Sequence, residues 1–377
     1  MPDVVPALPV RSGDAPHPVA RRTGRLPRTL AAVTVGVVLS TLAACSSGGP
    51  APSRTTPADV TVAPDVAVQK QPAPTPSVPN RWPLTGLPGD VVSRPALAVK
   101  IENSREARPQ TGLDQADVVW EEVVEGGITR FAAVFQSRVP AEVGPVRSVR
   151  PMDSTILAPM HGLVAFSGGQ VAFVQMLPAN GLQIFSQDLG APGFYRKAGV
   201  APAPHNVYGT PSTWWAAADA QHQAPPAPQF AIARDAAASA ATAGAPAAAL
   251  HITMSGYSQP SWTWDAASGT WLRSEGATPA VVRSGARLSA TNVVVLRVTL
   301  VDTGTKDPAG NPVPETVLTG SGGALVATGG KTVSGTWTKG AKTDVLTLKG
   351  ADGQPLTLAP GNTWVEMVPV SGAVAAG

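Results

Sequence analysis

The 377-residue sequence contains one cysteine, Cys45. A single thiol excludes an internal disulfide and any multi-cysteine metal centre. Charged residues make up only 14% of the chain, against about a quarter in an average protein. That excludes a coiled coil and a highly charged disordered chain. Histidine occurs five times, but no His-x-x-x-His or His-Glu-x-x-His spacing is present, so a zinc hydrolase has no ligand set. No Gly-x-Ser-x-Gly elbow is present either, although His161 or His205 with a serine and an acid leaves a Ser/His triad formally open. No metal and no cofactor are expected. The formal net charge is +3, but residues 1–44 carry five Arg and two Asp, and the remaining Lys+Arg balance Asp+Glu at 23 each. A nucleic-acid partner is therefore not expected.

What is abundant is glycine and proline, 38 and 39 residues. Together they are well above the average share of about 12%, which predicts long linkers or many turns. Residues Arg21 to Arg28 form a positive stretch, and Leu30 to Ala44 is an uncharged apolar run of about 15 residues. That is shorter than the roughly 20 residues that span a bilayer and suits the core of an export signal. The run ends Leu42-Ala43-Ala44-Cys45, which resembles a bacterial lipobox. The expectation is a signal peptide over 1–44 and lipidation at Cys45, leaving no free thiol in the mature protein. The expected location is the outer face of the cytoplasmic membrane, held by the lipid. Residues 46–80 include eight prolines and no periodic apolar pattern, so 45–80 reads as the lipidated cysteine and an extended tether.

The rest reads as α+β, an N-terminal mixed α/β domain over 81–221 followed by a C-terminal all-β domain over 250–372. Apolar stretches predict strands at 95–102, 117–124 and 128–136, the last two joined by a Glu-Gly-Gly turn as a hairpin. Helices are expected at 154–160 and 171–176 around a strand at 163–166. Residues 222–249 are Ala- and Pro-rich and form a connection, with helix propensity over 233–243. Beyond 250, alternating patterns predict strands at 261–264, 270–273, 291–301, 324–326, 332–338, 344–348, 356–358 and 363–368. Trp262, Trp264, Trp271, Trp337 and Trp364 lie in this half; tryptophans in alternating hairpins pack more often than they stack on sugars.

Charge concentrates in one place. Residues 94–153 hold 17 charged side chains in 60 positions. Glu121 and Glu122 must point to opposite faces of their strand. Arg130 lies just beyond the turn, where Glu122 or Glu125 can pair with it. Arg147 and Arg150 are bracketed by prolines, and such guanidinium forks suit carboxylate or phosphate. The cluster is either an anion- or sugar-binding cleft or a salt-bridged scaffold.

Several stretches resemble the YerB-like bacterial lipoproteins, a family defined by a two-part domain of unknown function. They are Arg94-Pro95, ARPQTGL at 107–113, QADVV at 115–119, EGGITR at 125–130, GPVRSVRP at 144–151 and APHNVY at 203–208. GGK at 329–331, GTWTK at 335–339 and PGNTWV at 360–365 are similar to the family's C-terminal part. Trp120 departs from the pattern, which has a smaller aromatic or aliphatic residue there. The resemblance spans about 82–370 and implies a lipid-anchored, extracytoplasmic protein in two parts, with no established reaction. The matching residues Glu125, Arg130, Arg147, Arg150, His205 and Asn206, with Glu122 of the charge cluster, are the candidate ligand or catalytic cluster. The expected function is envelope binding or scaffolding, with peptidoglycan or another envelope protein as partner. The alternative is a hydrolase of cell-wall polymer working through the Glu/Arg/His cluster.

Overall fold

The computed structural model describes residues 80–377. The expected export signal, Cys45 and all but the last residue of the expected tether lie outside the described residues. Among the described residues no helix is long and apolar enough to cross a membrane.

The chain begins with β1 (Leu97–Glu102), β2 (Val118–Val123) and β3 (Thr129–Phe135), then α1 (Pro151–Leu157), β4 (Leu163–Phe166), α2 (Val171–Ala179) and β5 (Gln183–Ser186). A small ribbon of β6 (Phe194–Arg196) and β7 (Val207–Gly209) precedes α3 (Pro211–Ala216). Apart from two 3-10 turns, strands follow. They are β8 (Ala245–Pro246), β9 (Ala249–Thr253), β10 (Pro260–Asp265), β11 (Thr270–Glu275), β12 (Thr278–Pro279), β13 (Ser289–Ala290) and β14 (Asn292–Lys306). The last are β15 (Pro312–Val317), β16 (Gly320–Thr328), β17 (Lys331–Lys339), β18 (Thr347–Lys349), β19 (Thr363–Pro369) and β20 (Ala373–Ala376). The expected fold class, a mixed α/β part followed by a β part, is what the chain has.

The two parts share one twelve-stranded sheet in the order β18-β17-β16-β14-β19-β2-β3-β1-β4-β5, with β15 and β8 as side branches. The seam is β19, which runs parallel to β14 on one side and to β2 on the other. One continuous sheet therefore crosses the connection at 222–249. A second sheet, β12-β11-β10-β9-β20 with β13, covers one face of this seam. Its Trp262 and Trp271 pack with Phe131 and Trp364 of the large sheet. The other face is covered by α1 and α2, where Met152, Ile156 and Leu177 meet Trp120 and Val134. Because β2 is covered on both faces, every one of its six residues is buried.

Local chemistry explains most boundaries. Helix α1 opens with Pro151, whose fixed φ and missing N–H suit a first helical position. The β16–β17 hairpin turns on Gly329 and Gly330, with φ of 59° and 69°, the left-handed pair that a two-residue turn demands. Two expectations fail. The stretch 233–243 forms only 3-10 turns, Ala236–Ala238 and Ala240–Ala243. Propensity alone does not hold a short helix, and this one has no large apolar side chain to bury. Residues 356–358 form no regular strand; Leu356 and Leu358 are buried, and Leu358 makes an isolated bridge to Ile232.

Candidate functional site

Register sets the first cluster. Glu102 of β1 and Glu122 of β2 both stand opposite Arg130 of β3, so the three form a row across one face of the sheet. Lys100, two residues before Glu102, lies on the same face. Its ammonium donates to Glu122 and, at 2.7 Å, to Asp153 Oδ1. All three side chains are essentially fully buried. Asp153 also accepts the Arg150 backbone N–H at 2.6 Å, in the first turn of α1. Burial, then the nearby Asp153 charge, push the Glu122 carboxyl well above the usual carboxylate range, against the pull of Lys100.

Glu125 sits in the turn after β2 and is gripped by Arg150 through two hydrogen bonds, the second at 2.8 Å from Nη2. Arg130 lies 3.8 Å from the same carboxylate and donates Nη1 to the Ser148 carbonyl at 2.8 Å. Its Nε is buried with no partner. Burial, then repulsion from Arg150, lower the Arg130 guanidinium to about 10. Glu102 holds the remaining pieces. Its Oε1 is 2.8 Å from His205 Nδ1 and 3.4 Å from Arg147 Nε. One buried carboxylate thus ties the 144–150 and 203–206 loops to the end of β1. Arg147 and His205 each keep about a fifth of the side chain exposed.

Six of the seven candidates therefore come together. Asn206 does not join them; it accepts from Arg196 at 2.8 Å on the ribbon beside the cluster. Sequence reasoning passed over Lys100, Glu102 and Asp153 as site residues. A lysine and a glutamate two apart at the end of the apolar run PALAVKIE were the available signal, because alternation places both on one buried face.

The opposite face carries a second network. Glu121 of β2 and Glu366 of β19 are register partners. Both reach Arg273, Glu121 at 2.7 Å and Glu366 at 2.8 Å. Arg273 also binds Glu275 at 2.9 Å, and Glu275 in turn lies 3.0 Å from Arg108. The guanidinium is enclosed by Phe131, Trp262 and Trp364, at 5.4, 5.4 and 4.7 Å from the ring centroids. Trp262 Nε1 donates to Glu366 at 2.8 Å. These tryptophans, with Trp271, are buried and pack; they present no face to a sugar. Burial pulls Arg273 down, and Glu121, Glu275 and Glu366 together more than reverse that, so it stays charged. Glu121 shares that cation with two other acids. Burial pushes its carboxyl up to about 8, Arg273 opposes this, and Glu366 adds to it. Alternation again carried the signal: Arg273 is two residues from Trp271 and so faces the same way.

Chemically, the buried carboxylates of both networks are paired with cations; the first network meets solvent at Arg147 and His205, the second at Arg108. Glu121, Glu122 and Glu125 are buried and paired with Arg273, Lys100 and Arg150, not set across an open groove as paired acid–base work on a glycoside requires. Glu121 and Glu122 are buried on opposite faces of β2, each held by its own cation. Among the described residues no group of acids, histidines or cysteines could hold a metal ion.

Two family models match the chain in order. Residues 84–224 match the family model described as "Protein of unknown function (DUF3048) N-terminal domain". Residues 250–365 match the corresponding C-terminal domain. A Bacillus subtilis (strain 168) protein named "Putative lipoprotein YerB" is 36% identical over 143 residues, which is 37% of this chain and 43% of that protein. The match thus spans less than half the length of that curated relative. A crystal structure of the YerB protein from Bacillus subtilis superposes with a TM-score of 0.66 at 24% identity, covering 78% of this chain and 99% of that one. It shares the fold. With both halves matched in order, the chain belongs to the YerB-like family of two-part proteins of unknown function.

Proposed function

We propose that this protein is a cell-envelope lipoprotein, anchored by Cys45 to the outer face of the cytoplasmic membrane, which binds an envelope component without cleaving it. Peptidoglycan is the favoured partner, and another envelope protein is the second. The observation that carries this reading is the internal pairing of the acid/arginine cluster. Glu122 is held by Lys100 and Glu125 by Arg150, both out of solvent. Groups committed in this way stiffen a binding surface and are poorly placed to move protons on a substrate. The relative named as a lipoprotein and the Leu-Ala-Ala-Cys sequence at 42–45 support the anchor. The hydrolase alternative has no support, because its carboxylates are covered and paired.

The test is sedimentation of the full-length protein, in detergent, with insoluble cell-wall sacculi. Soluble muropeptides are measured in the same tube. The expected result is co-sedimentation with no release. Release would overturn the reading in favour of a hydrolase. Absence of co-sedimentation would overturn the wall as partner.

A further inference from the structure

One cavity is lined by none of the seven candidate residues. It has a volume of about 590 Å³ and is lined by Arg105, Arg108, Tyr257, Gln259, Glu275 and Thr278, among others. Such a volume falls within the roughly 300–1,000 Å³ of small-ligand sites. One wall comes from the 105–110 segment after β1 and the other from the β9–β10 and β11–β12 turns, so both halves of the family fold build it.

Its charges are unequally committed. The only acid of the lining, Glu275, is already bound by Arg273 and Arg108. Arg108 is fixed from behind, its Nε on Asn103 Oδ1 at 3.0 Å and its Nη2 on the Asn103 carbonyl at 2.8 Å. Its Nη1 has no acceptor among the described residues. Arg105 is exposed. It rests 5.4 Å from the centroid of the Tyr257 ring and donates to no described side chain or carbonyl. The cavity therefore offers one preoriented guanidinium, one free guanidinium and a partly exposed aromatic face. Apolar surface from Pro109, Pro279 and Val281 lies beside the exposed amide of Gln259. Guanidinium groups grip carboxylate and phosphate bidentately. An aromatic face with neighbouring amides suits a hydroxyl-rich ring.

We propose that this groove binds an anionic sugar unit of the wall polymer, with Arg105 and Arg108 taking its carboxylate or phosphate and Tyr257 its ring. The inference rests on the envelope-binding reading above and names where and what it binds. Titration calorimetry on the full-length protein in detergent tests it with three probes. They are a muropeptide disaccharide bearing a carboxylate, a glycerol phosphate oligomer, and uncharged chitobiose. Saturable binding of one or both anionic probes, and not of chitobiose, is expected; the probe that binds identifies the anion. Arg105→Glu should weaken that binding at least tenfold, and Tyr257→Ala should weaken it as well. Lys342→Glu, at an exposed position between β17 and β18, should leave it unchanged. Equal binding of chitobiose, or an unchanged affinity in Arg105→Glu, would overturn the assignment. If Arg105→Glu still sediments with sacculi as the wild type does, the groove assignment falls and wall binding stands. If the wild type binds neither sacculi nor probe, both fall.

Discussion

Replacing Glu121 by Gln asks whether the buried network around Arg273 holds a proton it can dispense with. In the folded protein the Glu121 carboxyl is raised from 4.5 to about 8, first by burial and then by Glu366. Below pH 4.5 the proton is bound in both folded and unfolded chains, and the group costs the fold nothing. Between pH 4.5 and 8 the folded state keeps a proton that the unfolded chain has released, so stability falls as pH rises. The slope approaches about 1.4 kcal/mol per pH unit, and the loss levels off near 5 kcal/mol above pH 8. The Gln side chain is nearly isosteric. Its single oxygen can accept from Thr129 Oγ1, 2.6 Å from Glu121 Oε1, or from Arg273 Nη2, 2.7 Å from Oε2, so one of these two contacts is given up. Arg273 retains Glu366 and Glu275 as counterions. Glu121→Gln should therefore match the wild type within about 1 kcal/mol at pH 4.5. It should exceed the wild type by about 3 kcal/mol at pH 7 and approach 5 kcal/mol at pH 8.5. Urea unfolding followed by tryptophan fluorescence measures this, since Trp262 and Trp364 enclose the site. Parallel stability curves across that range would refute the reasoning. So would a loss of 3–5 kcal/mol at pH 7, which would mean that Glu121 is the ionised partner of Arg273.

Other outcomes follow from single contacts. Lys100→Ala leaves Glu122 and Asp153 buried beside each other without a cation and should cost about 3–5 kcal/mol in the same unfolding assay; a loss under 1 kcal/mol would mean water enters the site. At Gly335 an added Cβ would lie 2.2 Å from the Lys349 carbonyl oxygen and 2.6 Å from Leu356 Cδ1. Gly335→Ala should therefore destabilise by about 1–3 kcal/mol, and an unchanged midpoint would show that the β17–β18 edge yields freely. Cys45→Ser should move the protein from the membrane pellet to the soluble extracytoplasmic fraction, and retention in the membrane would overturn lipid anchoring at that residue.

The residues of β1, β2 and β3 show how far local pattern reaches. Alternation placed the strands within two residues of their ends and required Glu121 and Glu122 to face apart. It did not show that both faces of β2 are covered. That depends on β19, which arrives more than two hundred residues later and lies between β2 and β14. A half-exposed hairpin could leave one of those carboxylates in water, whereas a central strand can leave neither. The same insertion sets Glu366 opposite Glu121, a contact that no local feature of either segment announces.

The sequence by itself determined the lone thiol, the order of α/β and β parts, the strand periodicity, and the concentration of charge between 94 and 153. Those depend on neighbours a few residues apart, or on composition alone. The tertiary structure decided which charges neutralise which. It paired Lys100 with Glu122 and Asp153, gave Arg273 three acids, and left Arg105 uncommitted at the mouth of a groove built by both halves of the chain. Ion pairing depends on distances of 3 to 4 Å between segments far apart in sequence, and only the packed sheet brings those segments together.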